Sequence, residues 1–592
     1  MSLFKHYFNL FFSKSSFKDK RDKTNTIILF EAEKILTEMI NAEIKKIQDT
    51  NIFELLSTYY EKEYLKSYFA KKLKEISTIH QHKLFIINYD KNFGKKFFKT
   101  NNNKIFRLLK FLHFLKNIYT FYLQNLKRLL KKVLKFYTKK NKIKIKSVNT
   151  YDPKIGICFV EGINTNRRSD IYWLKGSKIR DEDIIFYGHN IPKKINEKTL
   201  HKLSNVKNNF NFLELENYNF SKLSFKSKKI IKKIKILKSK NIDEIWLKNI
   251  SLALVKKINY WENFFNKFNI KIHMDHSENN AELFCKQIAI NSNNGLSLGK
   301  MRSYPMRSFF NNYYPNNIFF VYGNDSYSQF KKTKNPIKNF IISGYPYNIP
   351  KIKLNLDNIF HKTLTILILD NNYGLNDGAY WQNIYTPYLK SLYFKLFEKL
   401  INDDKISIII KPKKYNLIPL NKGIIEQAKK TKRLKIIEDG RGFMPISLVP
   451  YTDIVVSTGV FLSGSMMECV ALNAKAVFCD YANIEREIPH LYKHGFKKII
   501  FQDIDEMIKE LNNYILNPKK NENFGNWERY IDLIDPFRDN LGSERIGNYI
   551  YNLHTGFKNK LSVKNNILNS NKIYLENILQ KKFPYKGKYI FN

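Results

Sequence analysis

Tyr451 to Asp480 reads YTDIVVSTGVFLSGSMMECVALNAKAVFCD, and this stretch decides the fold class. Asp453-Ile454-Val455-Val456-Ser457 is a β-branched run of the kind that fills a parallel strand buried on both faces. Ser457-Thr458-Gly459 and Ser463-Gly464-Ser465 supply small residues where the chain must turn and a ligand can approach. Ser465 and Glu468 have capping-box spacing, which predicts a helix starting near 463–465 and running to about Leu472. Ala476 to Asp480 is the next strand. A helix start after a small-residue turn, at the carboxyl edge of a parallel sheet, directs free N–H groups outward at an anion. A carboxylate one turn into that helix is placed to accept hydrogen bonds from a ribose. Phosphate and ribose together mean a nucleotide, although Ser-x-x-Glu also caps helices that bind nothing.

Outward from this stretch, the pattern is α/β over some 400 residues. Upstream, short apolar runs mark strands at Lys154–Val160, Ile184–Tyr187, Glu244–Leu247, Ile270–Met274, Asn317–Gly323 and Phe340–Gly344. After a Pro/Lys/Asn-rich linker to about 362, a second set begins at Thr365–Asp370, Ile406–Ile410, Leu434–Ile437, the opening stretch itself, and Lys498–Phe501. Strands alternating with helical stretches predict βαβ units. The fold class is therefore α/β, two Rossmann-like domains facing a cleft, where ligands of such folds bind. The domains are predicted at 150–350 and 362–552, preceded by a basic helical extension over 1–148 and followed by a basic tail over 553–592.

Composition narrows the partners. With 102 Lys and Arg against 53 Asp and Glu, the chain of 592 residues carries a formal charge of +49. That favours phosphorylated substrates, an acidic membrane face or nucleic acid. An AT-rich codon bias toward Lys, Asn and Ile accounts for part of the excess, but the charge is also unevenly spread. Between Asp90 and Asp152 no acidic residue occurs, and within 104–146 Leu108-Leu109, Phe111-Leu112, Leu115, Leu126 and Leu129-Leu130 line an apolar stripe beside Lys and Arg. This suits a helix lying in an anionic membrane interface, or a basic helix packed on its own domain. Nucleic acid is disfavoured, because no nucleic-acid module frames the charge. Four widely spaced cysteines give neither a disulfide framework nor a zinc spacing. With no signal peptide and no run of 18 apolar residues, the expectation is a cytoplasmic protein, peripheral at the inner face of the membrane.

At this point the second half resembles the donor domain of GT-B-fold glycosyltransferases that build bacterial surface polysaccharide, and the related CDP-glycerol glycerophosphotransferases. Ile342-Ser343-Gly344-Tyr345-Pro346 is similar to the Gly-x-Pro closing the N-terminal domain, and Leu367 to Gly374, LILDNNYG, to the first donor-domain strand and loop. Ile410-Lys411-Pro412-Lys413 resembles the strand ending in Lys-x-His-Pro. Ser463-Gly464-Ser465 with Glu468 resembles the nucleotide turn, and Asp535 to Arg545, DPFRDNLGSER, the closing segment. Lys413 departs from the pattern, standing where the glycerophosphotransferases carry His.

The resemblance implies a nucleotide-sugar donor and a saccharide or lipid-linked acceptor. Lys411, Lys413, Ser457, Thr458, Ser463, Gly464, Ser465 and Glu468 would hold the donor. Arg538 and Arg545 either join them or anchor the last helix. The acceptor hydroxyl needs a base. Asp275 and His276, just past a predicted strand, come first and Glu161, after the first strand, second; each also suits a helix cap. Arg302 and Arg307 are candidates for an acidic acceptor. A GT-A transferase would need Asp-x-Asp to hold a metal. Asp181-Glu182-Asp183 precedes a strand and Asp503-Ile504-Asp505 reads as a helix start, so metal-independent transfer without a cofactor is expected. A polyol-phosphate transferase, a nucleotide-sugar epimerase and a non-catalytic membrane scaffold remain as alternatives.

Overall fold

Strands buried on both faces need apolar side chains at every position, and it is these runs that pair in the computed structural model. It describes residues 151–160, 169–189, 211–218, 220–236, 242–275, 282–301, 314–332, 337–346, 354, 356, 358–370, 380–412, 422–437, 444–458, 463–480, 489–580 and 587–591. The basic extension over 1–148, and with it the 104–146 stripe, lies outside the described residues.

The first sheet contains β1 (Lys154–Cys158), β2 (Ile184–Gly188), β3 (Asn211–Glu214), β4 (Ile270–Met274), β5 (Leu296–Lys300), β6 (Ile318–Val321) and β7 (Asn339–Ile342), with β14 (Ile590–Phe591) on its edge. Its order is β14-β7-β6-β5-β4-β1-β2-β3. Every pairing is parallel except β14 on β7. The second sheet contains β8 (Leu364–Leu369), β9 (Ile406–Lys411), β10 (Leu434–Ile436), β11 (Ile454–Ser457), β12 (Ala476–Cys479) and β13 (Ile500–Phe501), in the order β10-β9-β8-β11-β12-β13, all parallel. Both sheets are doubly wound. Each reverses its winding beside its first strand, between β1 and β4 and between β8 and β11, and ligands bind at such switch points.

Helices cover both faces. On one face of the first sheet, Leu254, Trp261, Phe264 and Phe265 of α2 (Ile242–Lys267) and Ala289 and Ile290 of α3 (Glu282–Ser292) bury Ile185, Tyr187 and Ile270. On the other, Ile546, Tyr549, Ile550 and Leu553 of α11 (Gly542–Lys558) and Tyr574 and Ile578 of α12 (Val563–Leu579) cover Ile155, Ile157, Ile272 and Met274. In the second domain, α5 (Tyr380–Asn402) and α9 (Ile504–Leu516) close one face of the sheet, and α7 (Gly464–Val470) packs on the other. The remaining helices are α1 (Phe225–Ile236), α4 (Asn324–Lys332), α6 (Lys422–Lys430), α8 (Pro489–Gly495) and α10 (Ile531–Ile534).

Several sequence expectations change here. Glu244–Leu247 belongs to α2, not to a strand: a short apolar run has no decisive period, and the helix's 26-residue length without Gly or Pro prevails. β3 and β5 went unread. In β5, Ser297 and Lys300 are buried polar residues that interrupt the apolar signal, Lys300 lying 4.9 Å from the Trp173 ring centre. Residues 553–592 are not a tail. They hold the end of α11, all of α12 and the edge strand β14, so the chain returns from the second sheet to the first.

Residues 342–346 and 535–545 meet at this return. Asp535 accepts the Tyr345 N–H at 3.3 Å, and Arg545 donates from Nε to the Ser343 carbonyl at 2.7 Å. Arg545 also grips Asp539 through both terminal nitrogens, at 2.9 and 2.8 Å, and lies 3.6 Å from the Phe537 ring centre. Gly344 sits between them at φ +73°, where an added Cβ would meet Arg545, Asp535 and Phe537 at 2.9 Å. Only glycine fits both the backbone and the space.

Candidate functional site

At the carboxyl edge of the second sheet, register aligns the sequence-predicted donor residues. Lys411 ends β9 opposite Leu369 of β8, Leu369 pairs with Ser457 of β11, and Ser457 pairs with Phe478 of β12. Lys411 and Ser457 thus stand two strands apart, about 10 Å. Thr458 is pinned by its hydroxyl and its N–H to the Leu369 carbonyl, at 3.0 and 3.2 Å. The Ser457 and Ser463 hydroxyls lie 3.1 Å apart. Ser463 caps α7 by accepting the Met466 N–H at 3.2 Å, so the cap is Ser463 rather than the Ser465 of the predicted capping box. Gly464 and Ser465 form the first two helical positions, and Glu468 lies one turn further in, buried.

The same edge carries two acidic residues that the motifs did not flag. Asp370 follows β8 and accepts the Tyr393 hydroxyl at 2.9 Å; burial and that carboxylate push the Tyr393 phenol well above its ordinary range. Asp480 follows β12 and accepts the Tyr492 hydroxyl. Lys411 donates to the Pro412 carbonyl at 3.0 Å. Buried cation, carboxylates and hydroxyls therefore border the switch point between β8 and β11. Lys413 lies outside the described residues.

Arg538 and Arg545 are each engaged by a carboxylate. Arg538 pairs with Asp532, and Arg545 holds the return segment as described above. Of the two readings left open by the sequence, anchoring of the last helix is the one their contacts support. The acidic triplets are engaged too. Asp503 caps α9, accepting the Asp505 and Glu506 N–H groups at 2.8 and 3.1 Å. Asp183 is buried; burial alone would raise its pKa, but hydrogen bonds from Lys558, Lys154 and Arg180 hold it far below the ordinary carboxylate range.

The switch point of the first sheet lies between β1 and β4. Glu161 and His276 follow these strands in sequence but fall outside the described residues, as do Arg302 and Arg307 after β5. Asp275 is described, and it is fully buried with an oxygen 2.7 Å from Lys286 Nζ. Lys286 reaches back from α3 to the Cys158 sulfur at 3.4 Å and lies 4.8 and 5.4 Å from the Trp261 and Tyr187 ring centres. Burial opposes the charge on Lys286, yet the Asp275 carboxylate keeps the ammonium protonated, its pKa raised well above the ordinary value. Burial, with Asp275 adding to it, pushes the Cys158 thiol up to about 12, so it is not a nucleophile. A carboxylate committed to a buried ammonium is poorly placed to take a proton from an acceptor hydroxyl.

His273 completes the cluster. The β1–β4 register slips at Lys271, Lys154 pairing with Ile270 and Ile155 with Ile272. This bulge turns His273 to the face lined by Ile270, α2 and α3. Its ring lies 5.3 Å from Phe265 and 6.0 Å from Tyr187, and neither nitrogen has a hydrogen-bond partner among the described residues. Sequence reading missed Lys286 and His273. Nothing distinguishes a lysine on the buried side of a basic protein's helix until the fold places a carboxylate beside it.

Comparison with known proteins adds solved structures alone. No family model matches the chain, and no curated protein matches it by sequence. The Staphylococcus aureus MnaA–UDP structure is similar at 12% identity and TM-score 0.41, covering 69% of this chain and 97% of that one. The Neisseria meningitidis UDP-GlcNAc 2-epimerase bound to UDP-GlcNAc is similar at 11% identity and TM-score 0.35, covering 72% and 100%. The Thermobaculum terrenum O-GlcNAc transferase is similar at 9% identity and TM-score 0.31, covering 96% and 98%.

Proposed function

We propose that the chain is a glycosyltransferase of the GT-B type, moving a sugar from a nucleotide-sugar donor to a saccharide or membrane-linked acceptor in surface polysaccharide synthesis. The observation carrying this reading is the convergence of Lys411, Ser457, Thr458 and Ser463 on the carboxyl edge of a doubly wound sheet, at its switch point. Phosphate oxygens of the donor would lie against this edge, with Glu468 toward the ribose.

As the sugar leaves, negative charge grows on the diphosphate. Lys411 would supply positive charge there without a metal, and fixed N–H groups of the turn would cost little reorganisation. The base that deprotonates the acceptor is sought in Glu161 and His276, with Asp275 orienting the end of β4 through its bond to Lys286. Arg302 and Arg307 remain the candidates for an acidic acceptor, and the 104–146 stripe for contact with an anionic membrane.

The test is a thermal shift against CMP, CDP, UDP, GDP and ADP without metal, on wild type, Ser465→Ala and Glu468→Gln. A nucleotide at 100 times its dissociation constant adds about 2.7 kcal/mol of stability. One nucleotide should shift wild type, with a reduced shift in both variants. No shift by any nucleotide at millimolar concentration would remove the donor site. Where binding is found, incubation of the matching nucleotide sugar separates the chemistries. Transfer that withstands EDTA supports the proposal, whereas isomerised donor in the absence of any acceptor replaces it by epimerisation.

A further inference from the structure

Helix α12 carries leucines on its outward face as well as a packed inner one. Its inward face mixes core contacts from Tyr574 and Ile578 with fixed polar bonds: Asn566 donates to the Leu553 carbonyl at 2.8 Å, Asn571 accepts the Tyr549 hydroxyl at 2.6 Å, and Tyr574 donates to the Ile342 carbonyl. These bonds fix the helix against α11 and β7. Its outward face carries Leu568, Leu575 and Leu579, exposed by 53%, 36% and 77%. At 100° per residue the three fall within an arc of about 40°, and Lys564 and Lys572 stand about 40° to either side of Leu568. Lys572 extends into solvent, with the Glu576 carboxylate 4.0 Å away.

Exposed leucines held outward by a fixed inner face serve no purpose in the core of this domain. A leucine stripe flanked on both sides by lysines, whose stems lie along apolar surface while their ammonium groups reach water or phosphate, is the pattern of a helix seated in a bilayer interface. Charge selects the occupant. Lys581 and Lys582 follow the helix in the sequence, and the whole chain carries +49. A second copy would set lysines against lysines, whereas an anionic lipid surface neutralises them.

We infer that the outward face of α12 is a membrane-docking surface, with Leu568, Leu575 and Leu579 entering the interface of an anionic bilayer and Lys564 and Lys572 contacting lipid phosphates. This surface is distinct from 104–146, and it does not rest on the sugar-transfer reading.

The intact chain is floated with vesicles of phosphatidylcholine alone or with a third phosphatidylglycerol, as wild type, as Leu568→Gln/Leu575→Gln/Leu579→Gln and as Lys564→Glu/Lys572→Glu. Wild type should bind the anionic vesicles. The leucine variant should bind at least about tenfold more weakly, with an unchanged thermal midpoint because the replaced side chains face solvent. The lysine variant should lose the preference for phosphatidylglycerol. Three results would overturn the inference: no binding by wild type, undiminished binding by the leucine variant (which would leave attraction to the segment before residue 150), or a lipid-free wild-type dimer by light scattering that the leucine variant dissolves. Because no nucleotide enters this experiment, its failure leaves the donor reading standing, and the reverse holds as well.

Discussion

His273 makes the first domain sensitive to acid, and the size of the effect follows from its surroundings. Burial, reinforced by the Lys286 ammonium and opposed by Asp275, pushes its pKa down to about 3 from an ordinary 6.5. The folded state therefore refuses a proton that the unfolded chain accepts. For a group whose folded pKa is depressed, the stabilisation is complete above the unfolded value and is lost as pH falls toward the folded one. The window runs from about 6.5 down to about 3. At pH 5 the unfolded imidazole is protonated about thirtyfold over neutral while the folded one is not, so this residue alone removes about 2 kcal/mol.

His273→Phe tests the reasoning. Among the described residues neither ring nitrogen has a partner to lose, and Phe265 and Tyr187 already flank the site with aromatic rings. At pH 8 the variant should be at least as stable as wild type, since an unsatisfied buried polar group is removed. Between pH 8 and pH 5 it should lose about 2 kcal/mol less than wild type, read by urea unfolding at each pH. His554, also lowered by burial, titrates in both proteins and cancels in the difference. If the two proteins lose the same stability on acidification, His273 is not excluded from protonation, and the burial argument fails.

Three further outcomes follow from the same contacts. Lys286→Met strands the Asp275 carboxylate in the core and should cost about 3–5 kcal/mol, while Lys286→Met/Asp275→Leu recovers most of it; thermal midpoints of the single and double variants decide. Arg545→Lys loses the two-pronged grip on Asp539 and the Phe537 stack, and should lower stability by about 2–3 kcal/mol without changing the nucleotide dissociation constant, as fits an anchor rather than a phosphate ligand. Gly344→Ala forces a Cβ into a left-handed backbone position against three side chains, so denaturation should show a loss of about 1–3 kcal/mol.

The two-sheet architecture was legible because buried parallel strands announce themselves as apolar runs: Ile454–Ser457, Ala476–Cys479, Ile406–Lys411 and Leu364–Leu369 all lie within a residue or so of their sequence readings. The failures share one physical cause. β5 carries Ser297 and Lys300 in the interior, and α2 opens with a run that suits either element, so local hydrophobicity misjudged both. The second-domain edge was legible in part. Lys411, Ser457, Thr458 and Ser463 were found because they terminate readable strands or the turn after one. Asp370 and Asp480 also end strands, and went unflagged only because no motif names them.

The charged residues show most clearly what a sequence withholds. Lys286, Lys411 and Lys572 are indistinguishable as letters in a chain with 102 basic residues. Placement separates them: Lys286 sits in the core against Asp275, Lys411 ends the strand next to a switch point, and Lys572 stands in solvent beside exposed leucines. Each placement carries its own penalty for substitution. Removing the core ammonium strands a buried carboxylate and destabilises the fold. On the proposed sugar-transfer reading, removing the strand-end ammonium would withdraw charge from a developing diphosphate and should reach turnover first. Removing the solvent-facing one touches neither fold nor chemistry, and its loss should register only where a lipid phosphate had met it. The net charge of +49 is thus a sum over unlike roles, and its meaning is recovered residue by residue from what each ammonium faces.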